Sequence, residues 1–272
     1  MVGGALKSAS MDDLDLRMSE KVRPLYEAVK IFIREEVDPI TEEYHRLGEN
    51  RAERWGYGEG QLELLDGAKE KARAQGLWNF FLPDAETGEG LSNLDYAYIA
   101  NELGKNRLAS ECLNCSAPDT GNMEVLERTG TAEQKAEWLE PLLNGQIRSA
   151  YCMTEPRIMS SDAKQIETEA ALDGDEWVIN GHKWFISNAH RSKFAILVCR
   201  TEDDPDLPQA ANTAFLVDIP QDGWTEVRQI ETMHGSTGHS EILIEDLRLH
   251  EDQMLGGRGQ GCLLYTSPSP RD

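Results

Sequence analysis

From Ser19 to Asn144 the apolar positions recur three and four residues apart, as in Val22, Leu25, Tyr26, Val29 and Ile33, with Val37 just before Pro39. That spacing lays one apolar stripe along a helix of 3.6 residues per turn, so this half of the chain is expected to be all-helical. Further helices are predicted over Glu59–Gln75, Asn93–Gly104 and Thr131–Leu143. In the last of these, Thr131 and Gln134 have the spacing of a capping box, and Gly145 supplies a stop. Leu82-Pro83-Asp84 and Ala117-Pro118-Asp119 are breakers between the helical segments.

After Gly145 the period changes. Ile166–Leu172, Glu176–Ile179, Lys183–Ser187, Phe194–Arg200, Thr213–Ile219 and Glu241–Leu249 read as strands, and the second half is expected to be mostly β. Asp173-Gly174 and Asn180-Gly181 carry the residues that tolerate the positive φ of tight turns, and both are predicted as hairpins. Asp203–Gln209, with two prolines and several acids, reads as a solvated loop, and no internal repeat is visible.

At 272 residues the chain has room for two domains. Its 27 lysines and arginines face 49 acidic residues, a net charge of −22, which argues against a sequence-independent nucleic-acid binder and fits an acidic, solubilising surface. No apolar run approaches the roughly 18 residues of a membrane span. Met1–Ser10 is too short and too weakly apolar for a secretory segment, so a cytoplasmic protein is expected, or a mitochondrial or peroxisomal one in a eukaryote. The cysteines at 112, 115, 152, 199 and 262 fit reduced thiols, and the lone pair Cys112-Leu113-Asn114-Cys115 has no second pair or nearby histidine to make a metal site. His234 and His239, five apart, give no metal spacing either.

The chemistry concentrates in two segments, Tyr151–Asp162 and Ile179–Ala189. Holding a flavin requires hydrogen bonds to its pyrimidine edge and N5, a wall for its ring and donors for its pyrophosphate, the redox chemistry being the cofactor's own. Thr154 and Ser187 offer hydroxyls, and the backbone near Met153 offers an N–H. Trp184 and Phe185, adjacent on a strand, are expected on opposite faces, one toward the ring and one packed inward; taken alone, both are ordinary core aromatics. Gly256-Gly257-Arg258-Gly259-Gln260-Gly261 lacks the strand-to-helix setting of a dinucleotide loop and reads as a joint.

The order Tyr151-Cys152-Met153-Thr154-Glu155-Pro156, Ser161-Asp162, then Asn180-Gly181 with Lys183-Trp184-Phe185-Ile186-Ser187-Asn188 resembles the acyl-CoA dehydrogenases. The likeness extends upstream through residues 114–124 and 138–142 and downstream through 234–261, about residues 18–261 in all. Residues 114–124 look most like the subgroup sometimes fused to an aminoglycoside-phosphotransferase-like domain, which this sequence does not contain.

The resemblance implies an α+β fold: a flexible amino terminus (1–17), an all-helical domain (18–147) and a middle β-barrel domain (148–257). The family's C-terminal four-helix bundle would be absent, leaving 258–272 as a truncated joint and tail. Residues 262–272 match the translation of a sequencing-library transposase adapter and are expected to be foreign. By position, Tyr151, Met153 and Thr154 would line FAD, with Thr154 near N5 and O4. Phe185, Ile186 and Ser187 would stand at the ring, Ser160 would contact FAD, and Ser161 would lie near the flavin phosphates and the acyl-CoA substrate. Where the family often has Gly-Ala-Gly, this chain has Arg157-Ile158-Met159 and one extra residue, which alters backbone approach there. Glu155 lies in the flavin strand, and the family takes its catalytic base from the bundle, so no catalytic residue is expected in this chain. The implied activity is α,β-dehydrogenation of a fatty acyl-CoA to its trans-2-enoyl form, with electrons passing to an electron-transfer flavoprotein and a homo-oligomer at full length. The fragment itself is expected to be inactive. A related flavoprotein oxidase or monooxygenase, and a non-enzymatic acyl-CoA or flavin-binding module, are the alternatives.

Overall fold

The computed structural model describes residues 16–49, 57–82, 88–160, 162–202, 211–233 and 235–261. The expected terminus before Leu16, the breaker residues Pro83 and Asp84, the loop Asp203–Gln209, Ser161, His234 and the tail 262–272 lie outside them. The described residues fall into two compact units, those within 16–44 with 64–113 and those within 45–63 with 114–261.

Helix α1 (Arg23–Phe32) passes through a π turn at Ile33–Val37 directly into α2 (Asp38–Glu49). Pro39 therefore sits within a continuous helix. It has no N–H to give the carbonyl four residues back, and the wider turn, with the Asp38 N–H donating to Ile33 O, absorbs the gap. The arrangement recurs at Pro141, which follows the π turn Lys135–Leu139. Helices α3 (Gln61–Ala74), α4 (Asn93–Leu103) and α5 (Ala109–Cys112) follow α2. The first unit is helical, and its core buries Val29, Phe32, Leu65, Phe80, Ile99 and Leu103.

The second unit holds α6 (Asp119–Thr129), α7 (Ala132–Gln134) and α8 (Glu140–Leu143). The capping box at Thr131 and Gln134 forms as its sequence predicts. Gly145, at φ 64°, ends the segment, and the Gln146 N–H returns to Pro141 O at 2.9 Å. The sheet follows as β1 (Ser149–Cys152), β2 (Glu169–Asp173), β3 (Glu176–Ser187), β4 (Phe194–Arg200), β5 (Asn212–Asp218), β6 (Trp224–Thr232), β7 (Gly235–His250) and β8 (Met254–Leu255). Its order is β6-β7-β3-β2-β4-β5-β8, with β1 parallel to β4.

The sheet is not closed into the expected β-barrel. Along its path, β6 pairs with β7 and the two-residue β8 with β5, so the ends are not joined to each other. At the middle, β2 and β4 share a single register pair, Glu169 with Arg200. The two leaves on either side of that seam meet through side chains instead. Trp177, Ile179, Ile242 and Ile244 from one pack with Leu197, Phe215 and Val217 from the other, and the Trp177 and Phe215 rings lie 5.5 Å apart.

Asp173-Gly174 makes its hairpin, with Gly174 at φ 72° and Asp173 facing Glu176. Asn180-Gly181 does not. The chain runs straight through it, so the two predicted strands are one of twelve residues. Asn180 uses its amide to bind Asp246 across the ladder, accepting from the Asp246 N–H at 2.9 Å. Gly181 is needed for space: a Cβ there would lie 2.3 Å from Thr168 Oγ1.

Candidate functional site

After Cys152, buried in the core, the chain leaves β1 and runs alongside β3. The Trp184 N–H donates to Thr154 O at 3.0 Å, which joins the two segments singled out in the sequence. One residue earlier, Lys183 is wholly buried. Its ammonium donates to Glu155 Oε1 (2.8 Å), Met153 O (3.1 Å) and Val198 O (2.9 Å). Glu155 in turn accepts from the Glu167 N–H (2.7 Å), the Thr168 N–H (2.9 Å) and the Thr168 hydroxyl (2.6 Å). Burial alone would raise the Glu155 carboxyl, but the Lys183 charge and these donors outweigh it and hold it below the ordinary carboxylate range. Both its oxygens are engaged, which suits an anchor and not a base.

Immediately after Lys183 the strand bulges, the register with β7 slipping between Lys183 and Ile186. Phe185 takes φ 53°, a left-handed backbone rarely adopted by a bulky side chain. The extra residue overturns the expectation that Trp184 and Phe185 face opposite ways: their rings meet edge to face at 5.0 Å, and neither is buried. Phe185 is 43% exposed. Ile186, by contrast, packs in the core, so what it offers outward is backbone. Ser187 is half-buried, and its Oγ lies 3.0 Å from His239 Nδ1.

Thr154 is half-buried, with no hydrogen-bond partner for its hydroxyl among the described residues. Tyr151 and Met153 are half-buried neighbours, the tyrosine hydroxyl 3.9 Å from the methionine sulfur. The Ser160 Oγ accepts from the Glu155 N–H at 2.7 Å and so closes its own loop. Arg157, largely exposed, pairs with Glu167 at 3.3 Å. A cleft of about 470 Å³ is lined by Pro156, Arg157, Glu167, Gly181, His182 and Leu243, and neither Thr154 nor Phe185 faces it. The free hydroxyl and exposed ring therefore lie outside this cleft.

The sequence singled out neither the Lys183–Glu155 pair nor the His239 contact. A signal for the first exists: Lys183 is in step with the inward Trp177 and Ile179, and a lysine on an inward position requires a buried acceptor.

Residues 19–146 match the acyl-CoA dehydrogenase N-terminal domain, and residues 150–247 match the acyl-CoA dehydrogenase middle domain. The chain belongs to the acyl-CoA dehydrogenase family. It is 41% identical to acyl-CoA dehydrogenase family member 10 of Mus musculus over 254 residues, which cover 90% of this chain and 23% of that protein. A solved Mycobacterium abscessus structure assigned to the acyl-CoA dehydrogenases is 40% identical with a TM-score of 0.82, matching 91% of this chain and 63% of that one. PigA, solved as an FAD complex, shares the fold at 23% identity and a TM-score of 0.72, over 92% of this chain and 62% of its own. The chain thus spans less than two thirds of each of these relatives.

Proposed function

We propose that this chain is the front part of an FAD-dependent acyl-CoA dehydrogenase that converts a fatty acyl-CoA to its trans-2-enoyl thioester. The observation that carries the reading is the bond from the Trp184 N–H to Thr154 O, which sets the backbone of Thr154, whose hydroxyl has no partner among the described residues, beside the residue that precedes the exposed Phe185 ring. Those groups fit a flavin: a planar apolar ring needs a wall, and its polar edge needs a hydroxyl that nothing else occupies. A neighbour of the same fold, PigA, is solved with FAD.

In this reading Thr154 donates to the flavin edge, Phe185 covers one ring face, and Tyr151, Met153 and the backbone at Ile186 complete the wall. Ser187 is oriented by His239. Ser160 holds the 155–160 loop in shape, and Ser161 falls to the flavin phosphates and the acyl-CoA. Bound there, the flavin would supply a hydride acceptor for the substrate β-carbon. The carboxylate that removes the α-proton comes from beyond residue 261, as does the subunit contact of a homo-oligomer, and an electron-transfer flavoprotein takes the electrons onward.

The protein extended through its native C-terminus is expected to purify with flavin absorbance that bleaches when acyl-CoA is added without oxygen. Rapid reoxidation by oxygen would instead make it an oxidase or monooxygenase. Flavin that no acyl-CoA bleaches would leave a binding module.

A further inference from the structure

We propose that Lys183 and Glu155 are positioning residues, a buried ion pair that sets the Thr154–Trp184 contact and through it the flavin-facing surface. The inference rests on the flavin reading and goes further, because it assigns a task to two residues that are almost wholly buried. Lys183 has no accessible surface and Glu155 only 3%. Together they join four separate stretches of chain: Met153 and Glu155, Glu167 and Thr168, Lys183 itself, and Val198. Each proposed flavin contact near them follows one of the pair's partners in sequence. Thr154 lies between Met153 and Glu155, and Phe185 comes two residues after Lys183, next to Trp184.

A simple structural role would not need charges. Replacing a buried ion pair by neutral groups of like shape is often neutral for stability, whereas removing one partner strands a buried charge. What the pair adds is direction. The ammonium draws Met153 O and Val198 O toward the same point, and with the neighbouring carbonyl fixed, Thr154 O meets the Trp184 N–H beside a bulge whose Phe185 sits at φ 53°. Strain of that kind persists only where its surroundings over-determine the backbone.

The test compares Lys183→Met with the double variant Lys183→Met/Glu155→Gln in the full chain. The single variant is expected to lose thermal stability and the double to recover most of it. The Trp184 amide of the double should nevertheless exchange hydrogen about tenfold faster than in the wild type, relative to the Phe215 amide in the β4–β5 ladder. Taking this ratio removes the effect of global stability. FAD affinity in the protein extended through its native C-terminus should fall by about the same factor. A double variant whose Trp184 amide stays as protected as the wild type overturns the proposal. If the double variant does not fold, Glu155→Gln alone carries the comparison: it keeps an acceptor for Thr168 but strands the Lys183 charge, and the ratio to Phe215 removes the resulting loss of global stability. FAD that never binds the extended wild type would sink the flavin reading and leave the exchange result to decide the positioning role.

Discussion

Glu226 illustrates how one residue can set a pH response. It stands on β6 opposite Ile242, and burial raises its carboxyl to about 7 from an ordinary 4.5. A carboxyl raised in the folded state keeps its proton there after the unfolded chain has lost it. The fold is therefore penalised progressively as pH climbs from about 4.5 to about 7, and fully above that. Glu226→Gln should leave stability near pH 4 unchanged and raise it at pH 8 by about 1–2 kcal/mol, less than the shift alone implies because solvent still reaches the group. Urea unfolding at the two pH values checks this, and an equal gain at both would refute it. None of it is legible in the sequence, where Thr225-Glu226-Val227-Arg228 falls between the predicted strands Thr213–Ile219 and Glu241–Leu249. Thr154 and Ser187 stand out in the sequence as hydroxyls because each belongs to a short local motif, whereas the His239 partner of Ser187 lies 52 residues away and gives no local signal. Phe185 was legible as an aromatic but not as an exposed one, since its direction depends on a bulge set by pairing with a strand more than fifty residues away.

At the scale of elements, signals confined to one turn of chain read correctly. The capping box at Thr131 and the stop at Gly145 need only neighbours within five residues. Gln134 does more than cap: its Nε2 also donates to Asp252 O at 2.8 Å and Met254 O at 3.1 Å, pinning the turn before β8 to α7. Thr131→Ala should therefore cost about 1 kcal/mol, the usual loss for a cap. Gln134→Ala should cost about 2–3 kcal/mol, because two carbonyls lose their donor as well. Equal losses in denaturant unfolding would show that the long-range bonds contribute nothing. The long-range half of Gln134 is invisible in sequence for the same reason that Asn180-Gly181 misled. An Asn-Gly pair marks a hairpin when the glycine supplies a positive φ, but Gly181 is there to admit Thr168, thirteen residues away. Strand β6 escaped because its bulge at Val227 leaves Val227 and Arg228 both exposed and Gln229 and Ile230 both buried, which erases the alternation a strand is recognised by.

At the scale of the whole molecule, the charge of −22 sets a response that no single contact predicts. Most of the ion pairs among the described residues are exposed, such as Arg248 with Asp173 and Glu176, or Arg23 with Glu20. Each exposed pair is worth about 0–1 kcal/mol and weakens with salt. The pairs that matter more, Lys183 with Glu155 and Arg148 with Asp119, are buried and scarcely screened. Against the small loss from exposed pairs stands the mutual repulsion of 49 carboxylates with 27 cations to offset them, which the compact state intensifies. Between 0.01 and 0.15 M salt the screening length falls from about 30 Å to about 8 Å, so repulsion across the molecule fades while contacts at 3 Å keep most of their strength. Repulsion dominates, so stability should rise with sodium chloride, the melting temperature climbing a few degrees over that range. Repeating the melts with sodium sulfate at equal ionic strength separates screening from the general strengthening of apolar burial that sulfate brings. A midpoint that falls with chloride would mean that the exposed pairs outweigh the repulsion.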